Sequence, residues 1–378
     1  MKKKYLRSKK IILVLIIIIV LLVGFIIFNC INKAKYCNKI NSNNSEEIKS
    51  KNKELVDNKY KDIENYHNAA YKLNLKSSYG DNDAFHPKVL NFKEKWNGYK
   101  YWMAYSPYPK GNDAKENPHI KVSNDLINWT EPYGFKNPLE DTPSNYIMGV
   151  NYNSDPHLVY NRDTNTLECY YRYVNDSNDK VIIYRKTTKD GVNWSKKEEI
   201  ISSKRSKKDY LSPAIIYEDG MYKMWYVDRD KKVKYMESID GYNYSNERTI
   251  NLKYQLSTLK NWHLDVIHTE KGYEIIVVAY TSWEDRLSMN LYYFESKDNI
   301  KYSEGIVILR PSIRSWDNRG IYRSSFIYED GIYYVFYSAM SRKLGRGIGL
   351  SYGKDIDNLI GLDELKFFNG INKFLNLE

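Results

Sequence analysis

Four stretches of the chain, KVSNDLINW, KTTKDGVNW, MESIDGYNY and FESKDNIKY, each run from a strand-like segment into an aspartate, Asp125, Asp190, Asp240 or Asp298. Each then reaches an aromatic residue four positions later. LSYGKDIDNL, with Asp355, is a weaker fifth copy. Between the copies stand pairs of apolar or aromatic runs joined by tight turns, as in YEDGMYKMWYV, TEKGYEIIVVAY and YEDGIYYVFYS. Strand, turn, strand is the natural reading of each pair. The period, roughly fifty to seventy residues, suits a unit of one four-stranded sheet. The expected fold is therefore all-β, a five-bladed propeller. A long β-sandwich does not require the same hairpin and Asp-turn-aromatic unit to recur in the same order. The repeated aspartates read as structural, accepting local backbone N–H groups while the aromatic residue packs between blades.

The innermost strands are expected to begin near FHPKVL, SDPHLVY, SPAIIY, HLDVIH and RSSFIY. In SDP the proline sets the preceding residue extended and withholds one ladder donor, which places Asp155 at a strand entrance. Residues at such entrances face one mouth of the central channel. They are His86, Asp155, Ser212, His263 with Asp265, and Arg323 with Ser324. Glu116 joins them from KENPHIKVS, and Trp102, Arg172, Asp228, Trp283 and Glu284 are expected at the ends of second strands, where loops return toward the same mouth.

A residue plus proline opening the first strand of successive blades, with five blades in all, resembles the five-bladed propeller glycosidases that include arabinanases, β-xylosidases and invertases (glycoside hydrolase families 43 and 32). The resemblance covers most of residues 84 to 360. It implies a nucleophile or base Asp in blade one, a transition-state-stabilising Asp in blade two and a general-acid Glu in blade three. Asp155 fills the blade-two position, whereas His86 and Ser212 stand at the other two.

Glycoside hydrolysis needs two carboxyl groups flanking the scissile bond, one protonated and one ionised. Asp155 supplies one, and Glu116 or Asp265 is the expected partner. His86, Trp102, Arg172, His263, Trp283 and Arg323 are expected to bind substrate, the tryptophans by stacking on sugar faces and Arg323 as a clamp or as an ion-pair partner of Asp155 or Asp265. The expected function is glycoside hydrolysis of an extracellular or cell-wall polysaccharide in the axial pocket. The alternative is a glycan-binding propeller that has lost catalytic acids. No cofactor and no metal ligands are expected, because the histidines are scattered and no calcium-loop pattern occurs; a structural calcium or sodium ion in the channel is left open.

The chain begins MKKKYLRSKK and runs directly into the apolar stretch IILVLIIIIVLLVGFIIF. Residues 1–10 read as a cytoplasmic basic flank and 11–28 as a single-pass, uncleaved membrane anchor. No small-residue cleavage site follows, as a signal peptide requires. Residues 29–72, rich in Lys, Asn, Glu and Ser, read as an extracellular stalk, and 73–378 as the propeller. Of the net charge of +11, six positive charges belong to the first ten residues, which leaves too little for nucleic-acid binding. Only Cys169 among three cysteines lies deep in the chain, so disulfides do not hold the outer domain together.

Overall fold

The computed structural model describes residues 67–312, 315–342 and 345–363. Five antiparallel sheets follow one another along the chain. Blade one holds β1 (Ala84–Trp96), β2 (Tyr99–Pro107) and β3 (His119–Ser123). Blade two holds β4 (Asn151–Asn161), β5 (Thr166–Asn175), β6 (Lys180–Thr188) and β7 (Glu198–Lys204), and blade three β8 (Leu211–Glu218), β9 (Met221–Val227), β10 (Val233–Ser238) and β11 (Ser245–Ile250). Blade four comprises β12 (Lys260–Thr269), β13 (Gly272–Tyr280), β14 (Asn290–Ser296) and β15 (Ile306–Leu309). Blade five comprises β16 (Gly320–Glu329), β17 (Ile332–Met340), β18 (Arg346–Gly353) and β19 (Ile360–Gly361). The first strands close a ring: β1 packs on β4, β4 on β8, β8 on β12, β12 on β16, and β16 back on β1. The helical elements among the described residues are short 3₁₀ turns.

Aromatic and β-branched residues favour these strands, and their buried members form the packing between neighbouring sheets. The repeated aspartates do what their spacing implies. Asp190 Oδ1 accepts from the amides of Val192 and Asn193, both at 2.8 Å. Asp125, Asp240 and Asp298 make the same pair of bonds in their own turns. Trp129, four residues after Asp125, lies edge-on to Phe336 of blade five.

The ring closes through a segment that the sequence reading assigned to the stalk. Residues 67–72 belong to the propeller: Ala70 donates its amide to Leu362 O at 2.9 Å and Leu73 to Ile348 O at 2.8 Å. Asn68 and Tyr337 both donate to the Asp317 carboxylate, and Trp316 Nε1 donates to Ala69 O. The polar composition of the preceding chain hides this boundary, since only Ala69, Ala70 and Tyr71 in this stretch are apolar or aromatic. The expected membrane anchor, residues 11–28, and the stalk to residue 66 lie outside the described residues. No helix among the described residues is long and apolar enough to cross a membrane.

Two expectations about the strands need correction. Asp155 is not extended: its φ is +52°, and His86 and Ser212, which also precede prolines, have φ of +53° and +54°. Each lies in a bulge where the pairing of the first strand with the second skips residues, and the left-handed conformation is how the chain absorbs the extra residues. Trp102 does not reach the mouth, because β2 continues to Pro107. Its side chain is fully buried, donates Nε1 to Trp96 O and packs against the turn glycine Gly191 of blade two.

A Cβ built on Gly191 lies 2.1 Å from the Trp102 ring, and Gly191 has φ of +76°. Gly191→Ala should therefore lower unfolding stability by about 2–4 kcal/mol, through overpacking and backbone strain together. Denaturant titration of Gly191→Ala with and without Trp102→Phe checks the mechanism. Part of the loss returns in the double variant if the ring contact causes it.

Candidate active site

The bulges determine which side chains meet on the axis. On the axis, His86, Asp155 and His263, from blades one, two and four, bring one ligand atom each to within 4.8 Å of one another. All three are almost fully buried. Glu116 enters from the β2–β3 connection, with Oε1 3.2 Å from His86 Nδ1. Its position is fixed by the next residue, Asn117. That side chain donates to Tyr79 Oη, Ala114 O and Thr142 Oγ1 and accepts from Asn153 Nδ2 of β4.

Asp155 is surrounded by donors. Arg323 Nη1 and His263 Nδ1 each lie 3.4 Å from Oδ1. Arg172 Nη1 stands 3.9 Å from Oδ2, and the Ser212 amide donates to Oδ2 at 3.4 Å. Burial alone raises a carboxyl, but His263, Arg323, His86 and Arg172 hold Asp155 well below the usual carboxylate range. Glu116 behaves oppositely: burial, then the neighbouring Asp155 charge, push it well above that range. Two carboxyls in one pocket are thus driven in opposite directions, Asp155 toward the ionised and Glu116 toward the protonated form.

The imidazoles are neutral. Burial pushes His86 down to about 3 against the pull of Asp155, and burial likewise holds His263 well below its ordinary value. His86 Nδ1 is 2.8 Å from Ser106 Oγ, which orients the ring. Both ring nitrogens of His263 are buried without a hydrogen-bond partner, although Nδ1 lies near Asp155. A buried polar atom left unsatisfied in this way calls for a ligand.

Most of the expected site residues gather here, with different tasks. Arg323 pairs with Asp155 and also donates to His157 Nδ1 and Pro213 O, each at 3.3 Å. Arg172 is held by Asp209, through Nη2 to the carboxylate and Nε to the backbone oxygen. Trp283 stands on the rim, 40% exposed, with its ring 4.9 Å from Trp262. Asp265 is not among the converging groups. It lies two residues farther along β12, where both its oxygens accept from Lys88 Nζ, at 2.7 and 3.0 Å. The expectation of no metal ligands rested on local spacing. Ligand-capable atoms from three blades meet here, which spacing along one strand cannot reveal. Sequence reasoning also missed Ser106 and Tyr322, whose ring is 4.5 Å from His263 and stacks on Phe85. Tyr322 directly precedes Arg323, and that adjacency was the available signal.

Neutral buried histidines make the fold acid-sensitive. The unfolded chain protonates His86 near the ordinary value of about 6.5, whereas the folded chain does so only near 3. The unfolded state therefore binds the extra proton between these values. The contribution is complete above about pH 6.5 and is lost as pH falls toward 3, at about 1.4 kcal/mol per unit of separation. Urea midpoints should drop steadily from pH 7 to pH 4. His86→Asn should flatten that slope, and an unchanged slope would show that His86 does not contribute.

No family model matches the chain. It is 27% identical over 322 residues to an A type blood N-acetyl-alpha-D-galactosamine deacetylase of Flavonifractor plautii, an alignment covering 70% of this chain. The chain spans 41% of the length of that relative. A crystal structure of an N-acetylgalactosamine deacetylase from F. plautii, in complex with blood group B trisaccharide, superposes with a TM-score of 0.68 at 24% identity. That superposition covers 76% of this chain and 95% of the other. An exo-1,5-alpha-L-arabinanase from a bovine ruminal metagenomic library gives a TM-score of 0.54 at 16% identity, over 75% and 99% of the two chains. A thermostable family-43 glycoside hydrolase gives 0.54 at 15% identity, over 78% and 96%. In fold, the chain is a five-bladed propeller similar to those of the family-43 glycoside hydrolases on which it superposes.

Proposed function

We propose that this propeller is a carbohydrate deacylase, hydrolysing an acetamido or similar acyl group on a sugar held at the mouth of the channel. The convergence of His86, Asp155 and His263 within 4.8 Å carries this reading, and the N-acetyl-alpha-D-galactosamine deacetylase relative supports it. Two neutral imidazoles and an ionised carboxylate are a donor set suited to a divalent transition cation with positions left open. The unpartnered nitrogens of His263 fit that use. A cation bound there supplies a Lewis acid and lowers the pKa of coordinated water.

The remaining work falls to the chain's own groups. Glu116, with its raised carboxyl, is matched to proton traffic: its ionised form takes a proton from the attacking water and passes it to the departing nitrogen. Water oxygen forms the new bond to the acyl carbon, the C–N bond breaks, and acetate and a free amine leave. Ser106, beside His86 Nδ1, keeps that imidazole aimed into the pocket. Arg323 holds Asp155 in its ionised form.

A second reading is glycosidic-bond hydrolysis by Glu116 as acid with Asp155 as its ionised partner. The opposite shifts of these carboxyls favour it. Against it, Asp155 Oδ1 and Oδ2 already face Arg323, His263 and Arg172, which makes Asp155 a poor base.

The two readings release different products. With N-acetylated oligosaccharides, the full-length chain should release acetate and no new reducing ends. Glu116→Gln should lower the rate about 10²–10⁴-fold, the usual contribution of a general acid or base, and a chelator should abolish acetate release. Reducing ends without acetate would replace the first reading by the second. Neither product, with glycan binding retained, would leave a binding module.

The basic flank and apolar run of residues 1–28 support a further proposal, that the propeller stands outside the cell on a single membrane anchor. Protease added to intact cells should then remove the propeller, and protection until lysis would reverse the topology.

A further inference from the structure

The rim of the channel carries charge that the proposed chemistry does not use. Lys231, in the β9–β10 turn, lies with Nζ 4.3 Å from the centre of the Trp262 ring. The Trp262 ring touches that of Trp283, at 4.9 Å, and the Arg286 guanidinium lies flat over Trp283 at 3.5 Å. Arg346 continues the arc. Its guanidinium is 4.4 Å from the Tyr108 ring and donates to Tyr108 O at 3.1 Å. Trp262 adjoins His263, and Tyr108 adjoins His86, so the arc borders the converging side chains directly.

Lys231, Arg286 and Arg346 are half-buried. Among the described residues, none of the three side-chain cations pairs with a carboxylate within 4.0 Å, while the Arg346 backbone amide donates to Asp83 Oδ1 at 3.2 Å. The nearby acids have other partners: Asp209 is held by Arg172 and Arg205, and Asp155 by Arg323. Charges of both signs lie farther off. Arg286 faces Tyr322 and Glu284 as well as Arg319 and Arg346, and Lys231 faces Asp209 foremost, then Arg172, Arg205 and Arg229. Partial burial lowers the pKa of both Lys231 and Arg286, and the like-charged neighbours add to that burden. A cation resting on an aromatic face keeps its charge and its outward donors while losing freedom to swing into solvent. Half-buried cations held beside one another with no carboxylate in direct side-chain contact cost stability, which a ligand's negative charge offsets.

We infer that this arc of aromatic-seated cations binds an anionic glycan, a polymer whose carboxylate or phosphodiester groups flank the acylated sugar placed in the pocket. The three cations take the acidic groups, with the aromatic rings beneath them holding those cations in place. This names the substrate class for the deacylase reading and rests on it for the identity of the sugar in the pocket, but the binding itself needs no turnover.

The test is equilibrium binding to the purified full-length chain, with acetate release measured in parallel. The probes are heparosan oligosaccharides, which alternate uronate and N-acetylglucosamine, an oligomer of N-acetylglucosamine 1-phosphate, and neutral chitohexaose. At low salt an anionic probe should bind at least about tenfold more tightly than chitohexaose, and 0.5 M NaCl should erase most of that preference. Lys231→Gln, Arg286→Gln and Arg346→Gln should each lower anionic affinity about fivefold to tenfold while leaving chitohexaose binding within twofold. Preference for heparosan identifies carboxylate as the recognised group, and preference for the phosphate oligomer identifies phosphodiester. Equal binding of neutral and anionic probes, or a preference unchanged in all three variants, overturns the inference. Selective anionic binding without acetate release from any probe would overturn the deacylase reading and leave this one standing.

Discussion

The Asp155–Arg323 contact is the interaction around which the channel is organised. Asp155 comes from blade two and Arg323 from blade five, and both are buried on the axis. Neither charge is tolerable there alone. Removing one partner of such a buried pair typically costs about 3–5 kcal/mol, because the other is left uncompensated. Similar ties stack along the channel: Lys88 of blade one reaches Asp265 of blade four, and Asp265 Oδ2 also accepts from the Phe326 amide of blade five. His157 of blade two meets Ile215 of blade three, with Nε2 2.9 Å from the carbonyl oxygen. Hydrophobic contact between sheets is nearly non-directional. These polar cross-links give the ring a fixed register at its centre.

That register gives the pocket its electrostatic character. Arg323 and Arg172 keep Asp155 ionised, Asp155 in turn helps to keep Glu116 protonatable, and burial keeps both imidazoles neutral. Ionised aspartate and neutral imidazole are ordinary in water at neutral pH, whereas a carboxyl raised as Glu116 is departs from that state. Each state follows from the neighbours that blade packing imposes.

Much of the architecture was legible because it repeats. The Asp-turn-aromatic unit fixed the number of blades, and the X-Pro steps marked His86, Asp155 and Ser212 as axial. Glu116 was found through its nearness to Pro118. What stayed hidden depends on distances between blades. Asp265 looks like a free acid until Lys88, 177 residues away along the chain, is seen to meet it. The gathering of His86, Asp155 and His263 has no local spacing to betray it. Trp102 was misplaced for a simpler reason: nothing in KYWMAYSPYP shows which residue ends the strand, and the ring turns toward Gly191 instead of the mouth. Residues 67–72 went unrecognised because their partners, Ile348, Leu359 and Leu362, lie at the far end of the propeller.

The left-handed bulge before the proline repeats at His86, Asp155 and Ser212 with φ values within two degrees of one another. The backbone at these positions is set by the bulged strand pairing, in spite of the following proline. Such positions behave as sockets: an imidazole, a carboxylate and a hydroxyl occupy the same mount in successive blades. The blade-two mount also ties the ring together through Arg323, so its side chain can be exchanged only along with that partner.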